Sequence, residues 1–411
     1  MNKMIRMLCA GAVLAAVLTA SAFAAEFTGC AARLEELGLF QGTDTGYELD
    51  RTPTRGEAAA MLVRLLGKES EAKALEYTAP FTDLSAWHKP YVQYLYENRL
   101  ANGASASQFA PNEPCSAQMY AAFLLRALGY SEGAGDFAYA DAVAAAQARG
   151  VYDVTVVDTA DFRRDDVAAA SYTALSLMPK GASRTLLDRL VADGAVGESA
   201  AAPYQALFAQ YAAYRADTAG MDALERISIR STYADGIAFV REETSAQAAL
   251  TLSGTEQMTL DRAAGTMQAQ GTLTVGAPQV QAATVFTVST LNEGVLRRTL
   301  HGGAADDRPS AREQAQLLAA YAPVPIVYVE QAARSGASWT LSLDAMPAQY
   351  ASLLWAAERT LGEASGAQYD AVRVTHRVSG GRITAQTLAA QLTQDGLHGE
   401  VRLTTEPEAN G

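Results

Sequence analysis

The sequence predicts a multidomain chain: an N-terminal all-α body built from three copied helix–loop–helix units, then a C-terminal α+β domain with a curved antiparallel sheet. Three observations carry this expectation. Residues 47–67 and 109–129 align at a constant offset of 62, self-similarity that marks one supersecondary unit copied along the chain. Beyond residue 204, alternation of period two replaces helical spacing. With 411 residues, 49% of them apolar, the chain is long for one core and has the apolar material for two or three.

The chain opens on Lys3 and Arg6, an apolar run from Met7 to Leu18, and the small-residue triplet Ala22-Phe23-Ala24. This is the layout of a secretory signal peptide, so residues 1–24 are expected to be removed and the mature chain to start at Ala25. A membrane span needs about 20 apolar residues; Glu26 arrives early and polar sequence follows, so no span is expected after signal removal. The formal charge of −13 becomes −15 once Lys3 and Arg6 leave. Nucleic acid and anionic lipid both demand a basic face and are excluded as partners. Cys9 departs with the leader, and Cys30 and Cys115 remain in a compartment where disulfides persist. Cys30 lies near the start of the first helix and Cys115 just before a later one, so one reading is a bridge tying the second unit to the first.

In the first unit (25–68) a helix over Ala31–Leu37 enters the loop "GLFQGT", and a second helix opens within "PTRGEAAAMLVRLLG". Thr54 at the N-cap with Glu57 three residues on is a capping box. Ala58, Met61, Leu62, Leu65 and Leu66 form one apolar stripe, which leaves Arg55 and Arg64 off the core face. The helix therefore needs Thr54 and Glu57, and has no use for Arg55. The second unit (80–130) repeats the plan with Tyr91–Arg99, "RLANGA" and a helix from Ser116. In the third (136–180), Tyr139–Arg149 and "GVYDVT" precede "FRRDDVAAASYTAL", where Arg164 and Asp166 fall at the places of Arg55 and Glu57. Such units have apolar faces too small to stand alone and are expected to pack around a shared core.

"PFTDLSAWHKPYVQYLYENRLANG…FAPNEPCSAQMYAAFLLRALGY" and "TRGEAAAMLVRLLG" resemble S-layer homology repeats: Phe-x-Asp near the start, a Trp a few residues on, a Gly-containing loop, Phe-x-Pro, and Thr-Arg-Ala-Glu opening the second helix. The resemblance covers about residues 27–180. It implies a pseudo-threefold helical bundle that binds secondary cell-wall polysaccharide non-covalently in grooves between repeats. Matched position by position, it implies carbohydrate-binding roles for Arg55 and Glu57 in the first repeat, Asp83 and Trp87 in the second, and Arg164 and Asp166 in the third. The second repeat departs from the pattern, with Ala117 and Met119 at the Arg and Glu places, so at most two grooves are expected to be competent.

The chemistry suits the residue types. A guanidinium fork meets an acidic sugar substituent at two points, and an indole covers the apolar side of a sugar ring with little entropy to lose. The same residues have structural readings: Trp87 as core packing, Asp83 as a helix cap, Arg55 as a solvated or ion-paired arginine.

Residues 181–203 read as a helix and a linker, and 204–411 as the C-terminal domain. There "AALTLSG", "GTLTVGA", "ATVFTVSTL", "SWTLSLD" and "DAVRVTHRV" alternate as strands, with turns at Asp235-Gly236, Asn292-Glu293-Gly294 and Ser379-Gly380-Gly381. Helices are expected from Ser310, with Glu313 in capping-box spacing, and over Pro347–Leu361. The order of elements is faintly similar to lipoprotein-carrier half-barrels, which implies an apolar ligand, with Tyr350, Leu353, Leu354 and Leu361 as lining or as plain core. His88, His301, His376 and His398 are scattered without metal-site spacing, no nucleophile or phosphate-loop motif occurs, and Asp165-Asp166 reads as a helix first turn. No metal, cofactor or catalytic residue is therefore expected. The sequence reads as a secreted, non-enzymatic cell-wall protein of a Gram-positive-type bacterium with an outward C-terminal domain of unidentified task, for which an apolar ligand or a protein partner stays open. The rival readings are a wall-active enzyme and a carrier.

Overall fold

The computed structural model describes residues 26–241, 250–277, 280–300, 303–351, 353–354, 368–394 and 397–408. The expected signal peptide lies outside the described residues. The described chain divides into a helical unit, running to residue 209 and including residues 325–327, and a sheet unit formed by the remainder.

In the helical unit, helices occur in pairs separated by loops: α1 (Thr28–Glu36) and α2 (Arg55–Leu65), α4 (His88–Glu97) and α5 (Ala117–Ala127), α6 (Ala142–Ala148) and α7 (Arg164–Leu175). The short helices α3 (Glu69–Ala74) and α8 (Leu186–Ala192) follow the first and last pairs. At the start of α2 the expected capping box is present: the Thr54 hydroxyl accepts the Glu57 N–H at 3.2 Å, and the Glu57 carboxylate accepts the Thr54 N–H at 2.7 Å. Its end closes on Gly67 at φ +65°, with the Lys68 N–H on the Val63 carbonyl at 3.0 Å. Gly129, at φ +85°, ends α5 the same way, with the Tyr130 N–H on the Leu125 carbonyl at 2.9 Å. Leu34, Leu62, Val63, Leu124, Leu125, Val167 and Leu175 are closed to solvent and form the core of this unit.

Two expectations fail here. Residues 198–203 are not linker but the first turns of α9 (Glu198–Asp217). Three of these six residues are alanine, the strongest helix former, and the helix continues through Pro203. Cys30 and Cys115 are both buried thiols and not a disulfide. Cys30 sits within α1 with its thiol toward the Val327 carbonyl at 3.5 Å, whereas the Cys115 backbone is held at Pro53, N–H to O 2.8 Å, and its thiol faces the Ser116 carbonyl. Burial pushes the Cys115 thiol up to about 12, so it is no nucleophile.

The sheet unit holds eleven described strands: β1 (Arg226–Arg241), β2 (Leu250–Asp261), β3 (Thr266–Ala277), β4 (Val280–Asn292), β5 (Val295–Leu300), β6 (Gly303–Asp307), β7 (Val329–Ser335), β8 (Ser338–Leu343), β9 (Gln368–Ser379), β10 (Arg382–Gln394) and β11 (Leu397–Pro407). Their order is β6-β5-β4-β3-β2-β1-β11-β10-β9-β8-β7, antiparallel throughout. Two meanders thus meet where the first strand pairs with the last. Two-residue turns close β4–β5 at Glu293-Gly294 and β9–β10 at Gly380-Gly381, all four residues at positive φ, as type I′ hairpins require. The turn expected at Asp235-Gly236 is absent. β1 runs through it, absorbing the irregularity as register shifts against β2 and β11 beyond Tyr233. Helix α10 (Ala311–Leu318) opens on the Ser310–Glu313 capping box. Residues 348–351 and 353–354 are helical, and the rest of the expected 347–361 helix, Leu361 included, lies outside the described residues.

One face of the sheet is covered and apolar: Ile229, Leu252, Met258, Leu273, Leu341, Val374, Leu388 and Leu403 are buried on it. Across this face runs a row of directly paired residues, from Trp339 through His376, Gln386, Thr405, Ser231, Glu256 and Gly271 to Thr287. His376 Nε2 meets Gln386 Oε1 at 2.9 Å, its Nδ1 meets the Tyr214 hydroxyl at 2.9 Å, and the Ser231 and Thr405 hydroxyls meet at 3.1 Å. A polar row thus crosses an apolar face, bonded partly within itself and partly to residues outside it, such as Tyr214 and Asp217.

Candidate functional site

The N-terminus of α2 rests on the loop between α4 and α5. The Arg55 N–H donates to the Glu113 carbonyl and the Gly56 N–H to the Pro111 carbonyl, both at 2.8 Å. The N-terminus of α7 rests likewise on the loop between α1 and α2, with the Arg164 and Asp165 N–H groups on the Arg51 and Leu49 carbonyls at 2.9 and 3.0 Å. Glu113 and Pro111 stand 62 residues after Arg51 and Leu49, the offset of the sequence repeat. At the start of α5, where Ala117 replaces the arginine, the Tyr152 hydroxyl donates to the Ala117 carbonyl at 2.9 Å.

The arginine side chains enter these junctions. Arg55 exposes only 8% of its surface, so its placement off the core face is corrected: it leaves its own helix's stripe but is covered by the next pair's loop. Its Nη2 donates to the Asn102 carbonyl at 2.6 Å, Nη1 lies 3.5 Å from Met119 Sδ, and the guanidinium sits 4.6 Å over the Phe109 ring. Nε is buried without a hydrogen-bond partner, and no carboxylate among the described residues pairs with Arg55. Burial lowers its pKa from the ordinary arginine value.

Arg164 is as buried, and its Nε donates to the Tyr47 carbonyl at 2.9 Å, while its guanidinium lies 5.9 Å from the Phe40 ring centre. Phe40 and Tyr47 stand 62 residues before Asn102 and Phe109, so the same two loop positions supply one ring and one carbonyl, with roles exchanged. Arg164 differs in having a carboxylate nearby, Glu57 at 4.0 Å. Burial alone would raise the Glu57 pKa, but the bidentate bond from Arg51, at 2.6 and 2.9 Å, and the Thr54 N–H bring it net below the ordinary value.

The remaining expected residues separate into two kinds. Asp83 does not cap α4: its carboxylate accepts the Phe109 and Ala110 N–H groups at 2.9 and 2.7 Å, fixing the loop that carries the ring under Arg55. Burial would raise the Asp83 pKa, and those two N–H groups outweigh it. Trp87 is no core residue; it is 48% exposed and stacks on His88 with ring centres 3.9 Å apart. His88 is buried, bonded through Nδ1 to the Ser85 hydroxyl at 2.8 Å and set against Gly56, where any Cβ would overlap its imidazole. Arg55, Asp83 and Trp87 are therefore gathered at the start of α2, and Glu57 and Arg164 meet on its other side. Asp166 belongs to neither: it is buried and accepts the Asp158 and Arg163 N–H groups at 2.7 and 2.8 Å, holding the entry to α7.

Phe109, Met119, His88 and Arg51 complete these junctions; the sequence marked Met119 only as a departure from the repeat pattern and His88 only as a scattered histidine, and did not single out Phe109 or Arg51. Phe109 carried a readable signal through its alignment with Tyr47, as Met119 did through its alignment with Glu57. Among the described residues no group of three or more His, Cys, Asp and Glu side chains is placed to hold a metal ion, and no helix is long and apolar enough to cross a membrane.

Residues 80–116 match the S-layer homology domain family. The chain is 32% identical over 119 residues to the middle cell wall protein of Brevibacillus brevis, covering 28% of this chain and 11% of that protein. It is 31% identical over 144 residues to the surface layer protein of Brevibacillus choshinensis, 32% of this chain and 13% of that protein. It is also 34% identical over 100 residues to an endoglucanase of a Bacillus species, 24% of this chain and 10% of that enzyme. The chain thus matches only about a tenth of the length of each relative.

Proposed function

Because this chain carries an S-layer homology domain and is a cell-surface protein of Gram-positive type, we propose that it is anchored non-covalently to secondary cell-wall polysaccharide. Units 25–68, 80–130 and 136–180 form a pseudo-threefold bundle in this reading, supported by the backbone bonds that recur at the 62-residue offset. The observation that carries it is the arginine of the first junction: Arg55 is desolvated, has an unbonded Nε, and faces Met119 where the other junction has Glu57. A buried cation without a counter-ion is costly, and an acidic substituent on a saccharide would supply the missing charge. The exposed face of Trp87, held by His88 against the same helix start, offers a platform for the adjoining ring.

In this reading the protein is not an enzyme, and residues from 204 onward form the presented domain. The test is sedimentation of the full chain with purified walls. Binding is expected to walls that retain their non-peptidoglycan polymer and to be lost after that polymer is extracted; equal binding to both refutes the proposal. Arg55→Ala should weaken binding by about 1.5–3 kcal/mol, the scale of a hydrogen bond to a charged group. Hydrolysis of wall or glucan substrates by the full chain would replace the non-enzyme reading.

A further inference from the structure

One group in the polar row of the sheet is left unsatisfied by its neighbours. Glu256 makes no hydrogen bond or ion pair among the described residues, whereas His376, Gln386, Thr405 and Ser231 on the same row are bonded. It remains partly accessible although Leu252, Met258 and Leu260 on the same face of β2 are closed. Glycines flank it on that face, Gly254 two residues back and Gly271 directly across on β3, so neither of those two positions sets a side chain beside the carboxyl. Two apolar residues of this face, Val275 and Leu300, are also partly accessible, Leu300 on the same row three strands away, about 14 Å at ordinary strand spacing. Burial holds the Glu256 pKa up to about 7 against the pull of Arg298, so at neutral pH an ionised fraction sits among apolar side chains.

We propose that Glu256 anchors a ligand site on the covered face of the sheet, and that the site takes an amphiphile with a primary ammonium head and an apolar tail. The ammonium binds the carboxylate with the Ser231 hydroxyl beside it, and the tail lies toward Val275 and Leu300. An ammonium is the donor that an unbonded carboxylate in an apolar setting selects most strongly, because it supplies both charge and hydrogen bonds. A carboxylate-headed amphiphile is repelled, and a neutral alcohol gains no charge pairing. This inference is independent of wall anchoring.

The test is titration of the full chain, followed by calorimetry and native mass spectrometry, with dodecylamine, dodecanol and dodecanoate below their micellar concentrations. Wild type is expected to bind one dodecylamine about tenfold more tightly than dodecanol, with dodecanoate weakest. Glu256→Gln should erase that preference, and Glu400→Gln, at an exposed carboxylate of β11, should keep it. Equal binding of amine and alcohol by wild type, binding of neither, or a preference that survives Glu256→Gln overturns the proposal. The wild-type comparison decides the matter even if the variant does not fold.

Discussion

Arg55 and Arg164 open two helices that enter their junctions through matching backbone bonds, yet among the described residues only Arg164 finds a carboxylate. Met119 stands where a glutamate would neutralise Arg55, so Met119→Glu is expected to stabilise the helical unit and weaken wall binding about tenfold, the two effects of one new ion pair. Thermal unfolding and wall sedimentation on the same variant measure both; a variant that binds as tightly as wild type would show that Arg55 is not the contact. Gly56→Ala forces a methyl into the His88 imidazole and should cost about 1–3 kcal/mol by overpacking, read as a lowered melting temperature. Helical periodicity exposed the role of Thr54 and Glu57 because capping is local, three residues apart. It misjudged Arg55 because a single helix's stripe says nothing about what the next unit lays over the opposite side.

The strands show the same division between local and distant information. Hairpins at Asn292–Val295 and Ser379–Arg382 were legible from glycine-containing turns between alternating runs, whereas Asp235-Gly236 carries the same signal within a continuous strand, since pairing to β2 and β11 overrides it. The polar row was not legible at all, because its members come from eight strands and only register aligns them. Two of them titrate in opposite senses. His376 is held down to about 4 by burial, so its contribution is full above pH 6.5 and is lost as pH falls toward 4, about 3 kcal/mol in all. Glu256 is raised to about 7, so its contribution is full below pH 4.5 and is lost as pH rises through 7. Between pH 4.5 and 6.5 the two slopes oppose each other, and wild-type stability should be nearly flat. Glu256→Gln should unmask the histidine, with denaturant stability that climbs with pH across this window; a flat profile in that variant would contradict the assignment.

The chain as a whole carries two bodies with separate cores and separate chemistry. Their independence has a double test. Glu256→Gln should alter the pH profile of unfolding and leave wall sedimentation unchanged, while Arg55→Ala should do the reverse; a change in wall binding on Glu256→Gln would show the two to be coupled. The pairing of β1 with β11 has a consequence for how such a protein leaves the cell. The middle of the sheet joins residues 229–241 to residues 397–407 across more than 150 residues of chain, whereas every other described pair joins strands consecutive in sequence. A polypeptide threaded outward from its front end cannot complete that central seam until its final strand has emerged. The hairpins on either side can close earlier, so the central seam is the slowest part of the sheet to form.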